Sequence, residues 1–151
     1  MILFDSDVLA ICHFFTHDSR YIITKQCVDD LKKNGIATTI YNLFELAGIL
    51  SSGGKGELGE KIVNTYLNAR DIEVLFPKVG FISEDHFWEE YSRGVMDVIK
   101  RGIRYEDAKI FWVAEIYEVS LIITWNKRHF LEKTAVPVMR PEECYNRPSI
   151  K

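Results

Sequence analysis

The chain has 151 residues, is 47% hydrophobic and 27% charged, and carries a net charge of −3 with a pI near 5.8. These values fit one ordinary globular domain, 1–151, and argue against a broad basic face for nucleic acid, although a bound divalent cation adds charge that the count omits. Three scattered cysteines without a C-x-x-C pair predict a reduced, cytoplasmic chain; no basic leader precedes Asp5, and no apolar run approaches the roughly 20 residues that span a bilayer.

Short β-like runs alternate with helical ones, the pattern of βαβ units around a parallel sheet. Ile2–Phe4 is predicted as the first strand, with a helix following Asp7. A second helix covers Tyr21 to Lys33 and stops at Asn34-Gly35, a C-terminal signal. Ile36 to Ile40 is the second strand and Tyr41 to Leu50 a helix. Ser51 to Gly56 reads as a flexible loop and Glu57 to Asn68 as a helix. Ile72 to Phe76 is the third strand. Ser83-Glu84-Asp85 starts a helix that runs to about Lys100 and is broken at Gly102. Asp107 to Tyr117 is the next helix, Val119 to Thr124 the fourth strand, and Val136 to Met139 a short fifth strand. Pro137 inside it predicts a sheet edge, and the tail after Pro141 is expected to be irregular.

Three carboxylates stand in unusual company. Asp5 closes the first strand, at the carboxyl end where α/β sheets bind ligands, though it also suits a helix cap. Glu45 lies among Leu43, Phe44, Leu46, Ala47, Ile49 and Leu50. A helix this apolar is expected to be largely buried, and a buried carboxylate must be paired, protonated or metal-bound. The alternative is a solvent stripe shared with Asn42. Asp107 precedes an apolar helix; there it serves either as a first-turn acid or as part of a site, and Glu106 beside it is an alternative.

The fourth strand ends in Thr124-Trp125-Asn126-Lys127-Arg128-His129, where polar and basic groups cluster. Right-handed crossovers and a strand order 3-2-1-4-5 would set strands one and four side by side. Asp5, Thr124 and Asn126 would then share one rim of a crevice. His13 and His17, at i and i+4, lack further metal ligands. Phe87, Trp88 and Tyr91 are read as core or interface, and Phe111 and Trp112 as core.

These residues resemble the PIN-domain family of metal-dependent ribonucleases, VapC-like toxins in particular. The resemblance runs over nearly the whole chain and rests on MILFDSDVLA, NLFELAGIL, YEDAKIFWVAE and LIITWNKRHF in that order. It implies a three-layer α/β/α fold with a parallel sheet of about five strands. It implies an acidic site for Mg²⁺ or Mn²⁺, in which Asp5, Glu45 and Asp107 are similar to the first three acids. Asn126 falls where many members carry a fourth aspartate, so this chain departs from the family there. Asp7 stands where the family often has asparagine, and Ser6 and Thr124 resemble hydroxyl residues that support the site.

The resemblance further implies an RNA substrate, a small antitoxin partner and a homodimer. Hard divalent cations prefer oxygen ligands and relieve the repulsion among gathered carboxylates. Such an ion activates water for in-line attack on phosphorus, so no nucleophilic side chain is needed. Lys127 and Arg128 are candidates for contact with flanking phosphates. Two rivals remain. One is a PIN-like module that binds RNA or protein without cutting. The other is a haloacid-dehalogenase-like phosphatase, whose D-x-D motif Asp5-Ser6-Asp7 resembles, although the context after Thr124 is poor for it.

Overall fold

The computed structural model describes residues 1–80, 83–130 and 133–146. Strand β1 (Ile2–Phe4) leads into α1 (Ser6–His13), followed by α2 (Tyr21–Leu31), β2 (Ile36–Thr39), α3 (Ile40–Ser52), α4 (Gly56–Leu67) and β3 (Ile72–Leu75). Then come α5 (Glu84–Ile99), α6 (Tyr105–Ile116), β4 (Leu121–Ile123) and β5 (Val138–Met139). The described strands form one parallel sheet in the order β3-β2-β1-β4-β5, as the sequence predicts. In register, Leu3 lies opposite Ala37 on one side and Ile122 on the other.

The period-two alternation of the strands builds the three layers. Ile2, Phe4, Ile36, Leu121 and Ile123 face one way, onto Val8 and Leu9 of α1, Cys27 of α2, and Leu43 and Leu46 of α3. Leu3, Ala37, Leu75 and Ile122 face the other way, onto Val95 and Val98 of α5 and Phe111 and Val113 of α6. Phe111 and Trp112 are core residues, as predicted. Tyr91 packs edge-on against Trp112 with centroids 5.2 Å apart, while Trp88 is exposed. No described helix is long and apolar enough to cross a membrane.

Several boundaries differ from the sequence reading. The expected loop at Ser51 to Gly56 is a tight turn between two long helices. Helix α3 runs on to Ser52, and the Lys55 N–H returns to the Leu50 carbonyl at 2.9 Å. Gly54 makes this possible with φ +73°, a conformation that suits glycine. Helix α6 begins at Tyr105, so Asp107 sits inside its first turn instead of opening the helix. Pro137 precedes β5, at the edge of the sheet, and its carbonyl accepts the Ile122 N–H. The stretch Pro141–Asn146, expected to be irregular, is a 3₁₀ turn; the rest of that tail lies outside the described residues. His17 falls beyond the end of α1, and His13 bonds the Tyr66 hydroxyl at 2.7 Å, so the two histidines share no helix face.

Candidate active site

Strands β1 and β4 are neighbours, so their carboxyl ends open on one crevice. Asp5 follows β1 directly and caps α1, accepting the Ser6 N–H at 2.8 Å. Asp5 is thus the cap of α1, placed where the ends of β1 and β4 lie side by side. The residue is 7% exposed. Its Oδ1 also accepts the Asn42 amide at 2.8 Å, and its Oδ2 accepts the Thr124 hydroxyl at 2.8 Å.

Asn42 was missed as a site residue. The sequence reading offered it as a companion of Glu45 on a solvent stripe, yet it is fully buried. Its own Oδ1 is held by the Thr39 N–H at 3.2 Å and the Thr39 hydroxyl at 2.6 Å, which aims its Nδ2 at Asp5. Thr39 and Asn42 form the capping box of α3. The signal was present as a threonine at a strand end with an amide three residues on.

Asp7 is the second acid of this cluster. Its Oδ2 accepts the Trp125 N–H at 3.0 Å and lies 3.2 Å from the Thr124 hydroxyl. Its Oδ1 is buried without a hydrogen-bond partner among the described residues. Thr124 thus joins Asp5 and Asp7, and it also accepts the Asn126 N–H at 3.0 Å. Asn126 itself is exposed on the rim. Lys127 is turned to Glu143, with contacts of 2.7 and 2.9 Å, whereas Arg128 is exposed.

Glu45 departs from the burial expected of it. The residue is exposed, yet its carboxylate reaches back to accept the Ser6 hydroxyl at 2.7 Å. Ser6 therefore bridges α1 to α3 beside Asp5. Asp107 is half-buried in α6, and its Oδ2 lies 3.5 Å from His129 Nδ1. The sequence leaves His129 between contact with a phosphate or a base and a structural role.

The charges of this group act on one another. Burial first, and then the Asp7 charge, push the Asp5 carboxyl up to about 7; Glu45 adds to the effect, while Thr124 and the Ser6 N–H oppose it. Burial pushes Asp7 up to about 6, against hydrogen bonds from Thr124 and from backbone N–H groups. Asp107 is raised by burial and by the Glu45 charge, with His129 opposing. Glu45 thus lies within electrostatic reach of both Asp5 and Asp107.

The fit to a metal is that of an open site. Among the described residues no three His, Cys, Asp or Glu side chains are placed to hold one metal ion together, the expected Asp5, Glu45 and Asp107 included. The donors are all oxygen, however, and one buried carboxylate oxygen of Asp7 is unpartnered. Hydrated Mg²⁺ needs only one or two direct carboxylates and keeps several waters. The residues fit a cation held in that way. A separate cavity of about 240 Å³ lies against α1, α2 and α4, lined by Leu9, Cys12, His13 and Tyr66, and includes none of these acids.

No protein-family model and no curated protein sequence matches the chain. Solved structures do match it in shape. VapC20 of Mycobacterium tuberculosis, described as a Sarcin-Ricin loop cleaving toxin, superposes with a TM-score of 0.57 at 16% identity, over 81% of this chain and 87% of that one. VapBC2 from Rickettsia felis, bound to a DNA fragment from its promoter, gives 0.61 at 20% identity over 93% and 98%. A toxin-antitoxin complex from Klebsiella pneumoniae gives 0.58 at 17% identity over 93% and 98%. At these identities the likeness is one of fold: the chain has a VapC-like PIN fold.

Proposed function

We propose that the chain is a Mg²⁺- or Mn²⁺-dependent endoribonuclease and the toxin of a toxin–antitoxin pair. The observation that carries this reading is the pair Asp5 and Asp7, two carboxyls lifted by burial at the carboxyl end of the central strand, with Asp7 Oδ1 unpartnered. A protein that keeps unneutralised acids side by side in a crevice is arranged for a counter-charge. The fold neighbours support the nuclease class, since one of them is named as a Sarcin-Ricin loop cleaving toxin.

Asp5 and Asp7 would hold the cation through one or two direct carboxylate contacts, with Glu45 and Asp107 adding negative charge nearby. When bound, the cation supplies Lewis acidity, polarising a phosphate oxygen and lowering the pKa of its water. The chain's own groups do the positioning. Asn42 and Thr124 fix both oxygens of Asp5. The Ser6 hydroxyl orients Glu45, and the Trp125 N–H leaves Asp7 with one oxygen to offer. His129 holds Asp107 on the far side. Asp7 supplies the negative charge that Asn126 lacks, and Asn126 is left with a neutral carbonyl for the rim. Arg128 is the exposed cation for a flanking phosphate, while Lys127 reaches one only by leaving Glu143. A single-stranded or looped RNA suits such an open rim, because its strand can splay. A small antitoxin and a second copy of the chain complete the assembly, in keeping with the toxin-antitoxin complex among the fold neighbours.

The test is cleavage of a panel of structured and unstructured RNAs by wild type, Asp5→Asn and Glu45→Gln, with EDTA as a control. Metal-dependent cutting by wild type that falls by orders of magnitude in both variants is the expected outcome. Equal cutting by all three proteins would identify a contaminant. A second reading, an RNA- or protein-binding module that does not cut, is favoured by Asn126 and by the open acid arrangement. It predicts RNA binding without cleavage at any metal concentration.

A further inference from the structure

Cys27 and Cys144 stand 117 positions apart, yet their Sγ atoms lie 2.6 Å from one another. That is only about 0.6 Å beyond a covalent S–S bond of about 2.0 Å. Cys27 belongs to α2 and is fully buried, whereas Cys144 is half-buried in the 3₁₀ turn Pro141–Asn146. Each cysteine is borne by an element that grips the exit from β4. In α2, Thr24 stands one turn before Cys27 and accepts the Trp125 indole N–H at 3.1 Å. In the 3₁₀ turn, Glu143 adjoins Cys144 and accepts the Lys127 ammonium at 2.7 Å and the Arg140 N–H at 2.6 Å. Trp125 in turn donates its backbone N–H to Asp7. The segment Trp125–Lys127 is thus clamped from two sides, and the two sulfurs lie where the jaws meet.

We propose that Cys27 and Cys144 form a reversible disulfide that latches the C-terminal 3₁₀ turn to α2 and secures the Trp125–Lys127 segment beneath Asp7. The oxidant class is a peroxide, with hydrogen peroxide as the probe. The more accessible Cys144 attacks as thiolate; the O–O bond breaks, hydroxide leaves, and Cys144 becomes a sulfenic acid. The Cys27 sulfur then attacks Cys144, an S–S bond forms, and the sulfenic oxygen leaves with the proton as water. Two thiols and one peroxide give one disulfide and two waters; sulfur loses two electrons and the peroxide gains them. A dithiol reverses the bond by exchange. The contact with Cys144 and the burial of Cys27 both raise the Cys27 thiol, which keeps it protonated until its partner is activated. Cys12 is held up to about 11 by burial and stays out of the reaction.

The experiment treats the full-length protein with a slight excess of hydrogen peroxide, quenches it, and counts thiols after denaturation. The count falls from three to one, and proteolytic mapping finds the Cys27–Cys144 peptide pair in a monomer. The loop closed is long, so the thermal midpoint rises by roughly 5 to 15 °C. Dithiothreitol removes the rise, and Cys144→Ser shows none. A cross-link through Cys12 or between molecules overturns the proposal. So does loss of thiols without a cross-link, or a mapped Cys27–Cys144 bond with an unchanged midpoint.

Discussion

Replacing Asp5 with asparagine should make the metal-free protein more stable at neutral and alkaline pH. The Asp5 carboxyl is lifted from 3.8 to about 7, chiefly by burial and then by the Asp7 charge. Each unit is worth about 1.4 kcal/mol, so the ionised form costs the folded state on the order of 4 kcal/mol above pH 7. The folded state binds the proton more tightly than the unfolded chain. This contribution to stability is therefore fully present below pH 3.8 and is lost as pH rises through about 7. Asparagine can keep the geometry. Its Oδ1 accepts the Ser6 N–H and the Asn42 amide, and its Nδ2 donates to the Thr124 oxygen. Thr124 then turns its hydrogen to Asp7 Oδ2, 3.2 Å away. With EDTA at pH 8, Asp5→Asn should gain about 2 to 4 kcal/mol, or roughly 5 to 15 °C in midpoint. The gain should shrink toward zero near pH 4. Thermal denaturation of both proteins across pH 4 to 8 measures the difference. A variant less stable than wild type at pH 8, or a difference that ignores pH, would refute the reasoning.

Three further outcomes follow from this network and from the packing of the helices. Thr124→Val removes the hydroxyl shared by Asp5 and Asp7 and strands the Asn126 N–H, and should cost about 1 to 3 kcal/mol in urea unfolding; an unchanged midpoint would count against the network. Gly94→Ala would place a methyl 2.0 Å from Trp112 Nε1, so α5 and α6 must part, at about 1 to 3 kcal/mol despite the better helix former. Equal or greater stability would show that the two helices do not meet there. Asn126→Asp restores an acid on the rim and should tighten Mn²⁺ binding in calorimetric titration. Weaker binding would mean that this position faces away from the cation.

The parallel sheet was legible because short apolar strands alternate with helices, its order rested on the resemblance to the PIN-domain family, and Asp5 stood out as the polar end of the first strand. The partners of Asp5 were harder to find. Glu45 drew attention as a charge among leucines, but an exposed backbone position can still send a long side chain into the crevice, as Glu45 does to Ser6. Asn42 carries no charge, so only its spacing from Thr39 marked it as the buried residue of the pair. Asp107 was readable either as a first-turn acid or as a site residue; it lies inside the first turn of α6 and beside His129. The meeting of Cys27 with Cys144 had no local signal at all, because it depends on where the turn Pro141–Asn146 packs on α2.

The most direct measurement is a calorimetric titration of the protein with Mn²⁺ at pH 7.5, comparing wild type with Asp5→Asn and Asp7→Asn. Saturable binding by wild type that weakens at least about tenfold in each variant, about 1.4 kcal/mol, is the result expected of a cation held between these two acids. Wild type without saturable binding, or variants that bind as tightly, would contradict it.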